Sequence, residues 1–151
     1  MSRKIKYRVW DNENKSYNDP YSSAYYAMAQ DGGLDFYCHG DHMREADPDV
    51  YFIEQCTGLT DKNGQEIYEG DIVNICGIAC TNDSEMACIM DTNSVVLWDK
   101  RYARFDVKDK PESKDWDYRR RRYFLFTDKD RDNVEVIGNV HENRELLDGS
   151  D

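Results

Sequence analysis

One unbroken run, Gln55 to Val73 (QCTGLTDKNGQEIYEGDIV), constrains the fold more than any other part of the chain. Asp61-Lys62-Asn63-Gly64 is a strong turn signal, because Asn and Gly tolerate positive φ at low cost. An Asp at such a corner also accepts hydrogen bonds from turn amides. Flanking Leu59 and Ile67 then lie on paired strands. Glu69-Gly70-Asp71 makes a second sharp bend, where a Gly at strand entry suits a backbone turning closely against a neighbour. Ile72 to Ile75 continues as a strand. The run therefore reads as a tight hairpin followed by entry into a buried strand. It carries folding instructions, not chemistry.

Elsewhere the pattern is again β. Ile5, Tyr7 and Val9 alternate with Lys4, Lys6 and Arg8, the period of a half-buried strand, and Asp11 to Asn14 ends it as a turn. Tyr17 to Pro20 reads as loop. Tyr21 to Gln30 has two readings. Ala, Met and a capping Ser22 or Ser23 suit a short helix ended by Asp31-Gly32-Gly33. Alternatively Tyr25, Ala27 and Ala29 share one face of a strand, and the same Asp-Gly-Gly turns into a partner strand holding Leu34 and Phe36. The hairpin is preferred, since the segment is short and Tyr-rich. His39 to Pro48 reads as polar loop, Val50 to Glu54 as strand, and residues 77–94 as an irregular acidic insert. Val95 to Trp98, Tyr102 to Val107, Tyr123 to Phe126 and Val134 to Ile137 are further strands. Asp109 to Asp117 is a charged linker. Asn139 or Asn143 caps a short helix over Arg144 to Leu147 before a frayed acidic tail. That makes about seven or eight strands, spaced as in small sandwiches and barrels.

The chain has 151 residues, 39% of them hydrophobic and 13% aromatic, enough for one folded domain with an aromatic-rich core. Its net charge of −11 repels phosphate at long range, which disfavours generic nucleic-acid binding. A surface of that sign reads first as a solubility device and second as a face for a basic partner. The N-terminal MSRKIKYRVW alternates and is charged throughout, unlike a signal or transit peptide, and no apolar run is long enough to span a bilayer. With five cysteines, an odd number, the expectation is free thiols in a bacterial cytoplasm.

Three segments together, IKYRVWD near the N-terminus, the central TGL-D-NG-IYEGDIV and the closing VIGN followed by Asn-Arg-Glu-Leu, resemble the YopX family of small bacteriophage and prophage proteins. They fall in the family's order, and their joint occurrence is the specific signal. Arg144 departs from the pattern, standing where the family usually has proline before Glu-Leu. The resemblance implies a mainly β, phage-encoded protein and brings no catalytic residue with it. Gly58, Asp61, Gly64, Tyr68, Gly70, Asp71 and Gly138, which make the match, read as structural on physical grounds as well.

Candidate chemistry is sparse. Cys38, His39, Asp41 and His42 could each ligate a transition metal, yet one such cluster rarely completes a tetrahedral site, and Cys76, Cys80 and Cys88 lack zinc-finger spacing. Incidental loop polarity is the preferred reading, so no metal and no cofactor is expected. Glu66, Glu69 and Asp71 could hold a divalent cation for metal-assisted hydrolysis, but no P-loop, HExxH or GxSxG anchors that idea. Turn stabilisation accounts for them better. Arg119, Arg120, Arg121 and Arg122, with Trp116, Tyr118 and Tyr123 close by, form the concentrated basic patch, a combination suited to phosphate contact and base stacking. In a strand alternate arginines would point to opposite faces, and flanking acids neutralise them. A salt-bridged edge is favoured over a nucleic-acid site.

The sequence thus points to a single compact barrel-like or sandwich-like antiparallel β domain with little helix, with α+β as the alternative. The expected role is non-enzymatic: an accessory protein acting by binding to an unknown protein partner or by self-assembly into a homo-oligomer. Nucleic-acid association through the arginine patch and metal-assisted hydrolysis are the rivals.

Overall fold

The computed structural model describes residues 5–19, 23–79, 89–101, 103–108 and 131–147, with backbone alone at 24, 76–79, 89–92 and 131. The fold is mainly β, built of antiparallel pairs, with helix limited among the described residues to two 3₁₀ turns, Arg131–Asn133 and Arg144–Leu147. That excludes an α+β architecture for the described residues. None of their helices is long and apolar enough to cross a membrane. Contacts divide the chain into two compact units, residues 1–55 and 56–151.

The first unit holds β1 (Tyr7–Asp11), β2 (Ser16–Tyr17), β3 (Ala24–Met28), β4 (Leu34–Cys38), β5 (Asp41–Glu45) and the start of β6 (Tyr51–Thr60). β1 lies between β2 and β6, with Val9 opposite Ile53 and Trp10 opposite Phe52. Asp11 ends β1 by accepting the backbone N–H groups of Glu13 and Asn14, both at 2.9 Å. β3, β4 and β5 form a separate three-stranded sheet. The hairpin reading of Tyr21 to Gln30 therefore holds over Ala24–Met28, with Tyr26 opposite Phe36 and Met28 opposite Leu34. The core gathers Val9, Leu34 and Tyr51, with Tyr7, Tyr26, Ala46, Val50 and Ile53 against them.

In the second unit the end of β6 pairs with β7 (Glu66–Tyr68), and β8 (Asp71–Ala79), β9 (Ile89–Asp99), β10 (Arg104–Lys108) and β11 (Val134–Asn139) form a sheet in the order β10-β9-β8-β11. β8 is central and covered on both faces, which is why it reads as a nearly continuous apolar run. On one face Val73 and Ile75 pack with Ile67, Val96, Val107 and Val134; on the other Ile72 packs with Val95 and Leu147. Each such side chain contributes roughly 1.5–3 kcal/mol on burial.

Three expectations change. His39 to Pro48 is not all loop, because Asp41–Glu45 is a strand, exposed at every position. Tyr17 lies in the short strand β2. Strand pairing also extends into the segment read as an acidic insert, since β8 runs to Ala79 and β9 begins at Ile89. The described residues hold eleven strands where seven or eight were expected. The extra ones are short or carry no apolar alternation. Tyr123 to Phe126 falls outside the described residues.

Candidate functional site

The corners named by the sequence are built as turn chemistry requires. Asp61 is fully buried; its Oδ1 accepts the N–H groups of Asn63 (2.8 Å) and Gln65 (2.9 Å), and its Oδ2 accepts that of Val136 (3.1 Å). Burial alone would raise its pKa, but these donors outweigh it and hold the carboxyl below its ordinary value. Asp71, also buried, accepts the N–H of Tyr68 at 2.7 Å, while Glu66 accepts the Tyr68 hydroxyl at 3.0 Å. Asp61 and Asp71 hold backbone, and Glu66 holds a side-chain hydroxyl. Their oxygens face the fold.

The first unit offers a different arrangement. β3 turns into β4 through Asp31-Gly32-Gly33: Asp31 Oδ1 accepts the Gly33 N–H at 3.0 Å, and Gly32 sits at φ +91°. β4 turns into β5 through His39 and Gly40 at φ +51° and +90°, two successive positive values that only a tight primed turn requires. Alternation then sorts the sheet into two faces. Inward, Tyr26 lies 5.3 Å from Phe36 and 4.7 Å from Tyr51, ring centre to ring centre, with the Arg44 guanidinium over Phe36. Burial and a hydrogen bond with Tyr51 push the Tyr26 hydroxyl well above its ordinary pKa. Outward, Tyr25 stacks on Tyr37 at 5.3 Å with rings 7° from parallel, Tyr37 meets the His42 ring edge-on at 5.4 Å, and His42 Nε2 lies 3.2 Å from Asp35 Oδ1.

Beside this sheet runs a groove of about 410 Å³. Its apolar lining includes Leu34, Tyr51 and Ile53, and its carboxylates are Asp31, Asp35 and Glu45. Asp35 and Glu45 stand directly opposite each other on β4 and β5. Like charges so placed destabilise a sheet, and here His42 Nε2, 3.2 Å from Asp35 Oδ1, lies against one of them. The volume lies within the range of ordinary ligand pockets, which join apolar walls to a few placed polar groups.

The groove and its carboxylates were not foreseen. Its walls come from a turn, three strands and a loop, and reading His39 to Pro48 as loop hid the pairing of Asp35 with Glu45. Of the sequence candidates, Cys38 Sγ contacts His39 Nδ1 at 3.2 Å, whereas His42 turns to Asp35. Among the described residues no group of three or more His, Cys, Asp or Glu side chains is placed to hold a metal ion. Arg119, Arg120, Arg121, Arg122, Trp116 and Tyr123, and likewise Cys80 and Cys88, lie outside the described residues.

A family model described as YopX protein matches residues 6–148. Among solved structures, protein EF1440 from Enterococcus faecalis is similar, with 26% identity and a TM-score of 0.52 over 97% of this chain and 99% of that one. No curated protein matches the chain significantly. Matched by that family model over residues 6–148, nearly its whole length, the chain belongs to the YopX family.

Proposed function

We propose that this is a non-enzymatic, phage- or prophage-encoded accessory protein that acts in the bacterial cytoplasm by binding a protein partner through the groove of the first unit. The observation that carries the reading is the groove itself, an apolar trough edged by three carboxylates. Such a surface suits recognition of a complementary segment. The net charge of −11 favours protein over nucleic acid as the partner. The corner acids support a binding role in another way. Asp61 and Asp71 are already engaged by backbone donors, and their positions are explained without a substrate.

The experiment is capture from phage-infected or prophage-induced cells, with nuclease treatment as a control, using the wild-type protein and Pro48→Trp. Pro48 lines the groove from an exposed loop, so an indole there fills the trough without entering the core. A nuclease-resistant protein partner lost with Pro48→Trp is expected. A partner retained by that variant, or material lost on nuclease treatment, contradicts the reading.

A further inference from the structure

The binding role proposed above leaves the partner open, and the chain itself carries a segment that fits the groove. Resting on that role, we infer that the partner is a second copy of this chain, whose β9–β10 hairpin brings Trp98 to the apolar walls and Lys100 and Arg101 to the carboxylate rim. The contact is head to tail: each copy gives a hairpin and takes one.

On β9 and β10 an apolar stripe runs out of the core into water. Val96 and Val107 stand opposite each other and are buried; the next pair along the same face is Trp98 opposite Phe105. Their rings meet edge-on at 5.0 Å, so Phe105 supports the indole while Trp98 stays 39% exposed. A large, stiff side chain presented in this way is the kind that dominates protein interfaces. The turn beyond it is firmly built: Asp99 Oδ1 accepts the Arg101 N–H at 2.8 Å, and Ala103 sits at φ +49°. Lys100 and Arg101 are exposed in that turn. The groove is the complement in both respects, apolar along Leu34, Pro48, Tyr51 and Ile53 and acidic at Asp31 and Glu45. Two chains of net charge −11 repel each other overall, so contact between copies needs a locally positive element, which this turn supplies. Edge pairing of β5 with its twin is the competing route. Antiparallel and centred on Met43, it sets Asp41 against Glu45, and like charges directly opposite destabilise a pair. A head-to-tail contact instead closes into a ring or grows as a filament.

The test is sedimentation velocity of wild type, Lys100→Glu/Arg101→Glu and Pro48→Trp, from low micromolar to a few hundred micromolar. The first variant keeps its groove and the second its hairpin. Wild type is expected to rise with concentration above the mass of one chain, while each variant alone stays at that mass. Their equimolar mixture is expected to form a two-chain species and nothing larger, because one intact hairpin then meets one intact groove. That recovery also shows that both variants are folded. Wild type confined to one chain, a variant that assembles alone, or a mixture that stays at one chain overturns the inference. So does binding of a fluorescein-labelled oligothymidylate that is lost with Lys100→Glu/Arg101→Glu, which assigns the hairpin to nucleic acid. The broader reading fails separately. A nuclease-resistant partner captured by single-chain wild type and lost with Pro48→Trp removes the second copy and keeps the groove.

Discussion

The buried carboxylate of Asp61, in the corner after β6, accepts the backbone N–H of Val136 in β11 at 3.1 Å across 75 positions of sequence. One side chain thereby closes its own turn and ties that turn to a distant strand. Replacing Asp61 with Ala leaves three N–H donors, those of Asn63, Gln65 and Val136, without this acceptor. At roughly 1 kcal/mol for each hydrogen bond lost, Asp61→Ala lowers stability by about 3 kcal/mol, read as a shift in urea midpoint at constant slope. Asp61→Asn keeps one acceptor oxygen and loses less.

The same carboxyl sets an acid limb. Its folded pKa lies below the ordinary value of 3.8 because the backbone donors overcome the opposing effect of burial. A depressed folded pKa contributes stability that is complete above the unfolded value and is lost as pH falls through the folded one. The stability difference between wild type and Asp61→Ala is therefore constant above about pH 5 and shrinks below about pH 4. Glu135, lowered mainly by its bond to the Lys62 ammonium at 2.6 Å, acts in the same direction, but it is only half-buried and its share fades with salt.

Gly138 is required for room. A Cβ there would lie 2.5 Å from Asn143 Oδ1 and 2.8 Å from Asn143 Cβ, and that Oδ1 accepts the Asn139 N–H at 3.3 Å. Gly138→Ala costs about 2 kcal/mol in chemical denaturation. In an Asn143→Gly background the added cost falls below about 1 kcal/mol, because the obstructing atoms are gone.

Glu54 is a buried carboxylate held by Arg8 Nε at 2.7 Å and by the Tyr17 hydroxyl at 3.1 Å, while the Arg8 guanidinium lies 4.3 Å from the Tyr17 ring centre. Arg8→Ala removes a charged partner from a group that has left water, at about 3 kcal/mol. The double variant Arg8→Met/Glu54→Leu recovers most of that loss, since neither charge is then buried. Thermal melts of the single and double variants check both statements.

How much of this was legible depends on whether the signal is local. Asp61 to Gly64 and Glu69 to Asp71 were readable because an Asp accepting turn amides and a Gly at positive φ, +84° at Gly64 and +80° at Gly70, act within a few residues. β8 was readable because burial on both faces leaves an apolar run. β5 was not, since Asp-His-Met-Arg-Glu shows water every side chain and so has no alternation to detect. The groove was hidden for a related reason. Its carboxylates, Asp31, Asp35 and Glu45, meet only once β4 and β5 are in register, and that register includes a bulge between Phe36 and Tyr37.

The central claim is that the corner acids hold the fold while the working surface is the groove. Amide chemical-shift mapping, with the captured partner titrated into ¹⁵N-labelled protein, tests it most directly. Shifts confined to the groove between Ala29 and Ile53, to the neighbouring outer face of β4 and β5 and to the β9–β10 turn are predicted. Shifts centred on Asp61, Glu66 and Asp71 would contradict the account and move the functional site to the corners.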